Sequence, residues 1–136
     1  MRVLRYLWAS PYTMLGCLIG AAALSTGGAV RRVEGVWEFH SGAAARFLDC
    51  LPLPRVGALT LGHTVIGRNQ QTLDETRLHE RVHVRQFERW GFLMGPAYLG
   101  CSAVLWLRGR DYYRDNPFER EAYAVDDGQS ALNDEC

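Results

Sequence analysis

The chain has 136 residues, enough for one domain with one core and too few for two. Apolar residues make up 48% of it and there are four tryptophans, a content that excludes a disordered chain. The formal charge is zero and every basic residue is an arginine, so no basic excess marks a nucleic-acid partner and that class is set aside.

The first element lies in a stretch with no charge between Arg5 and Arg31. Ser10-Pro11 has the form of an N-cap followed by proline at the first helical position, and Gly27-Gly28 is a natural stop. A helix so bounded has about 15 residues and spans roughly 22 Å, short of a hydrocarbon core of roughly 30 Å. Arg2 and Arg5 ahead of an apolar run also have the form of a targeting segment. We read residues 1–28 as a retained hydrophobic helix, either an anchor or packed against the core, with secretion the less favoured alternative. Membrane association is expected through residues 6–28.

Residues 29–136 read as a single domain. Ala29 to His40 has the pattern of a strand, a turn at Glu34-Gly35 and a second strand. "AAARFLDCL" is a short helix closed by Pro52, and Ala58 to Gly67 is a β-rich run ended by the turn signal Gly67-Arg68-Asn69. A helix is predicted from Thr72 to Trp90, with Thr72 and Glu75 in capping-box spacing. A second uncharged stretch, between Arg89 and Arg108, holds a helix opened by Gly95-Pro96 and ended near Leu107, about 12 residues long. Asn116-Pro117 opens a last helix that runs to about Asp126. The class is therefore α+β, with short antiparallel strands followed by a long polar helix, an apolar helix and a glutamate-bearing helix. Cys17, Cys50, Cys101 and Cys136 are far apart and form no C-x-x-C pair, so neither a disulfide framework nor a cysteine zinc site is expected.

The chemistry concentrates in "LHERVHVRQFERW", Leu78 to Trp90. Each helical residue advances about 100°, so His79 and His83 lie roughly 40° apart and both imidazoles can reach one ion. Glu80 projects beside them, placed to act as general base on water held by zinc, which is the physical content of H-E-x-x-H. Gln86 and Trp90 share the histidine face and Leu73, Val84 and Phe87 flank it, while Arg77, Arg81 and Glu88 cluster on the far side and are expected at solvent. Histidines turned inward need partners, either a metal or hydrogen bonds from a core. The last helix offers two candidates for a third ligand, Glu119 and Glu121.

H-E-x-x-H on one helix with a later glutamate in an E-x-x-A helix resembles the gluzincin metallopeptidases, in their minimal single-domain form. The resemblance covers His79 to His83 and Glu119 to Tyr123. It implies a small zincin-like domain, one zinc ion on His79, His83 and Glu119, Glu80 as the catalytic base, and a peptide or protein substrate. Ala122 matches the small residue that lets the two helices approach. Tyr123 stands where the family usually has the aspartate that orients the first histidine, and Asp126, one turn on, is the substitute on this chain. Asn116 and Glu119 also stand in capping-box spacing, under which Glu119 would close its own helix and Glu121 would be the ligand. Ala122 and Asp126 fall on the Glu119 side and favour Glu119. The run from Ala58 to Gly67 sits where such peptidases carry the edge strand that pairs with substrate, and His63 on it is a candidate for stabilising an oxyanion, as are Tyr112, Tyr113 and Arg114. The alternatives are a non-catalytic zinc-stabilised, membrane-associated domain, and a membrane-anchored interaction protein without metal.

Overall fold

The computed structural model describes residues 2–51 and 57–134, so Pro52 and Cys136 lie outside the described residues. Its elements are α1 (Arg2–Ser25), β1 (Ala29–Val33), β2 (Val36–His40), α2 (Ala43–Asp49), β3 (Ala58–Leu61), β4 (Thr64–Gly67), α3 (Gln70–Trp90), a 3-10 turn (Gly91–Leu93), α4 (Met94–Leu107) and α5 (Pro117–Asp134). The chain is α+β.

The four strands form one sheet in the order β1-β2-β4-β3. β1 and β2 make the expected hairpin, with Glu34 (φ 52°) and Gly35 (φ 83°) both at the positive φ that a tight two-residue turn requires. The run from Ala58 to Gly67 is two strands rather than one, folded back at Gly62 (φ 62°). An all-antiparallel sheet was expected, and the structure corrects this: β2 and β4 are parallel, with Trp37 opposite Thr64 and Phe39 opposite Ile66. The chain between them crosses over through α2, and a crossover of that length is what parallel pairing needs.

Side-chain alternation along the strands divides the core in two. Phe39 and Ile66 face α1 and α2, where they meet Ala23, Ala44 and Leu48. Val36, Ala58 and Val65 face α3, where they meet Leu73 and Val84. A third cluster of Ala9, Phe87, Met94 and Phe118 ties α1, α3, α4 and α5 together beyond the end of the sheet. α1 lies close on the sheet because Gly20 has no side chain; a Cβ there would stand 2.5 Å from the Phe39 ring.

α1 does not start at Ser10-Pro11 as the sequence predicts, but runs through it. Proline has no N–H to offer the Leu7 carbonyl, and the Ser10 hydroxyl donates to that oxygen instead at 2.7 Å. The turns upstream are held by contacts from elsewhere: Tyr6 stacks on His63 and Trp8 meets the Phe92 ring. α3 begins two residues early, because Asn69 is the cap and its side chain accepts from the Thr72 N–H at 2.8 Å. α4 starts at Met94, with Pro96 in the first turn, where no helical N–H bond is lost. α5 opens as expected, Asn116 Oδ1 accepting from the Phe118 N–H, and extends past Asp126 to Asp134.

The arginines of α3 are a further correction. Arg77 forks onto Glu38 of β2, with Nε and Nη2 each 3.0 Å from a carboxylate oxygen. Arg81 is buried and donates to the Val33 carbonyl at 2.9 Å and to Glu38 at 3.3 Å. The helix is covered on two opposite sides, the sheet on one and α5 on the other. Periodicity seeks one apolar face and reads the charged one as solvent-exposed; here a buried carboxylate on β2 receives those charges.

Candidate metal centre

α3 and α5 cross with Ala122 fully buried between them, and the approach brings Glu119 onto the two histidines. His79, His83 and Glu119 are all buried, and their ligand atoms lie within 4.8 Å of one another. His79 Nε2 and His83 Nε2 are 3.2 Å apart, and Glu119 Oε2 is 3.1 Å from the first and 3.3 Å from the second.

Neighbouring groups decide which atoms of this triangle carry hydrogen. His79 Nδ1 is 2.9 Å from Asp126 Oδ2, and a carboxylate can only accept, so Nδ1 carries the hydrogen. His83 Nδ1 is 2.8 Å from Gln86 Oε1. The Gln86 amide nitrogen donates to the Phe118 carbonyl at 3.0 Å and to Glu121 at 2.9 Å, which fixes its oxygen as the acceptor and places a hydrogen on His83 Nδ1 as well. Tyr98 donates to Glu119 Oε1 at 2.7 Å and leaves Oε2 turned to the histidines. Three lone pairs thus face one another with no donor among them. That arrangement requires a cation at its centre or a proton in its place.

The spacing suits a tetrahedral ion: ligand atoms about 2.0–2.1 Å from zinc stand about 3.3–3.4 Å from each other. Without a metal, protons take its place. Burial opposes charge on His83, but the hydrogen bond to Glu119 and the nearby Glu80 and Glu119 carboxylates outweigh it and push the pKa up to about 9. His79 is raised by the same contest of burial against these carboxylates. Burial also opposes the Glu119 carboxylate, yet hydrogen bonds from both histidines bring it down to about 2.

Beside the triangle lies a cavity of about 210 Å³ with mainly apolar walls. His79, Glu80, His83 and Glu119 reach it from one side, β3 from another, and Tyr12, Met94, Tyr98, Leu99 and Tyr113 from the rest. Glu80 is held on this wall by the Thr60 hydroxyl of β3, which donates to its Oε2 at 2.6 Å.

Glu80, Asp126 and Tyr123 all stand at the centre, the Tyr123 ring lying edge-on to His79 with centroids 4.6 Å apart. Glu121 does not join it, being bound to Gln86 and paired with Arg89 at 3.7 Å. The capping-box alternative for Glu119 has no place either, since both of its oxygens are engaged with Tyr98 and the histidines. His63 sits in the β3–β4 turn, apart from the residues that line the cavity, bound to Glu88 at 3.0 Å and stacked on Tyr6. Tyr112 and Arg114 are also off the wall, the Arg114 guanidinium lying over the Tyr123 ring, while Tyr113 lines the cavity. Sequence reasoning missed the roles of Thr60, Gln86 and Tyr98. Gln86 alone left a signal, being a polar residue on the buried stripe of α3.

Compared with known protein families, curated proteins and solved structures, the chain finds no match in any of the three.

Proposed function

We propose that this protein is a zinc-dependent metallopeptidase, a minimal gluzincin-type domain that hydrolyses peptide bonds. One observation carries the reading: the acceptor-only triangle of His79, His83 and Glu119 adjoins a cavity on whose wall the Thr60 hydroxyl holds the Glu80 carboxylate. Structural zinc sites normally close with four protein ligands, whereas three ligands beside a cavity leave a position for water and substrate. Two imidazoles and a carboxylate are also a donor set that suits zinc better than magnesium or calcium.

A bound zinc supplies Lewis-acid polarisation of the scissile carbonyl and makes water more acidic. The remaining roles fall to the chain. Glu80, aimed by Thr60, takes the proton of the attacking water and returns it to the leaving amine. Asp126 and Gln86 hold the two imidazoles in the tautomer that presents Nε2. β3 ends the sheet and lines the cavity, so its outer edge is suited to pairing with an extended peptide, and the Tyr113 hydroxyl is a donor available to the developing oxyanion.

The test is zinc stoichiometry together with hydrolysis of an unstructured protein. We expect one zinc per chain, activity removed by a chelator and restored by zinc, and a Glu80→Gln variant that keeps zinc and loses hydrolysis. A zinc-loaded protein that hydrolyses nothing would favour the non-catalytic reading, and a chain that takes up no zinc would end both.

A further inference from the structure

The side of α1 that faces away from the sheet is apolar where a helix in water would be polar. Val3, Leu4, Leu7, Met14, Leu15 and Leu18 fall in a stripe about 120° wide. Each of them is between 48% and 70% exposed. α4 goes further, since no charged residue occurs between Arg89 and Arg108. Its Leu99, Val104, Trp106 and Leu107 are 48% to 76% exposed and fall on one broad face, an arc about 160° wide. A helix apolar all round belongs in a core or in lipid.

The two exposed surfaces are joined. The Tyr12 hydroxyl of α1 donates to the Phe92 carbonyl at 3.0 Å and accepts from the Gly95 N–H at 3.1 Å, and Trp8 rests against Phe92. The cavity lies at this junction: Tyr12 is one wall, and Leu99 is both a wall and part of the exposed surface.

What covers this surface must span a broad face of α4 while also lying along the stripe on α1. Hydrocarbon meets both faces at once whatever their mutual angle, and the residues at their borders favour it over a second copy of the chain. Trp8, Trp90 and Trp106 are 40% to 68% exposed, and Arg5, Arg89 and Arg108 stand next to the apolar runs, the arrangement found at a bilayer interface. Neither helix crosses. α1, with 24 residues and about 36 Å, has the length, but Ala9 and Ala23 near its two ends are both fully buried against the rest of the protein, so it lies along the domain and cannot stand alone across lipid. α4 has 14 residues, about 21 Å against a core of roughly 30 Å, and the chain returns afterwards to place Glu119 on His79.

We propose that α1 and α4 together seat this protein in one leaflet of a bilayer, with the mouth of the metal cavity at the lipid surface and an apolar membrane-resident peptide segment as its substrate. The substrate part rests on the peptidase reading; the seating does not.

The experiment uses the full chain, reconstituted from detergent with vesicles of phosphatidylcholine doped with phosphatidylglycerol, and reads co-flotation. Wild type should float. Leu7→Glu with Leu18→Glu on α1, and Val104→Glu with Trp106→Glu on α4, should each cut partitioning roughly tenfold or more, with zinc content unchanged. Retained flotation in the α4 pair would overturn the two-helix seating. A wild-type chain that forms a discrete dimer without lipid and fails to float would show that a second copy covers the surface. In a second arm, one apolar peptide is offered free in solution and anchored to vesicles. Wild type should cleave the anchored form faster, and the glutamate variants should lose that preference while still cleaving the free form. Flotation without any cleavage would refute the peptidase reading and leave the seating standing; equal cleavage of both forms would refute the substrate class.

Discussion

The two opposite sides of α3 both bury charge, and they handle it in different ways. Toward the sheet, Arg77 forks onto Glu38 and Arg81 adds a single hydrogen bond to it, so cation and anion are supplied by the same chain. Toward α5, His79, His83 and Glu119 present only acceptors, and no arginine approaches among the hydrogen bonds and ion pairs of the described residues. The first arrangement carries its own counter-charge when folded. The second is balanced only when a cation or a proton is added.

The largest expected effects come from removing the added partner's ligands. His79→Ala and His83→Ala should each weaken zinc binding by orders of magnitude, measured by competition with a chromophoric chelator, and should lower the unfolding midpoint by more when zinc is present than when it is absent. Glu38→Ala tests the other side. It strands a buried Arg81 and should cost about 3–5 kcal/mol in urea unfolding while the folded fraction binds zinc as tightly as before. If it released zinc as well, the two sides would not be independent.

Smaller changes sharpen the contrast. Asp126→Asn keeps the shape but loses the carboxylate on His79 Nδ1, and should weaken zinc by about 10–100-fold. Glu121→Gln, whose carboxylate bonds Gln86 and pairs with Arg89, should change zinc affinity far less than Glu119→Gln. Equal losses would mean that both glutamates approach the ion.

The smallest effect is a pH dependence of the metal-free protein. His83 has its pKa raised from 6.5 to about 9, so its contribution to stability is full below 6.5 and fades as pH rises through about 9. Glu119 is lowered from 4.5 to about 2, so its contribution is present above 4.5 and lost as pH falls to about 2. With a chelator present, the stability added by this cluster should peak between the two ordinary values, 4.5 and 6.5. Zinc should remove the alkaline decline, because it requires the neutral imidazoles that high pH provides. A flat profile in the metal-free protein would show that no proton occupies the centre.

What was legible in the sequence was local. The spacing of His79, Glu80 and His83, the Glu34-Gly35 turn, the Asn116-Pro117 helix start and Asp126 one turn beyond Tyr123 depend on periods of a few residues. What was not legible arises between elements. Thr60 reads as an ordinary strand residue until β3 is laid against Glu80, and Tyr98 reads as part of an apolar run until α4 turns it toward Glu119. The Ser10-Pro11 signal was locally sound and lost to packing by Tyr6 and Trp8, which hold the turns upstream of it. Arg81 was misplaced because its carboxylate partner lies 43 residues away on β2.

His79 and Glu119 are 40 residues apart in sequence, and between them α4 buries only Met94 and Leu105. An ion joining α3 to α5 therefore pins both ends of a segment that has little grip of its own. Without the ion, α4 can open locally while the sheet and its two helical layers stay folded, and its amides should exchange with solvent faster than those of α3. Binding is reciprocal in such a case: whatever holds α4 in place strengthens the hold on the ion by the same factor that the ion strengthens the hold on α4. Hydrogen exchange in a helix that supplies no ligand thus reports whether the centre is occupied.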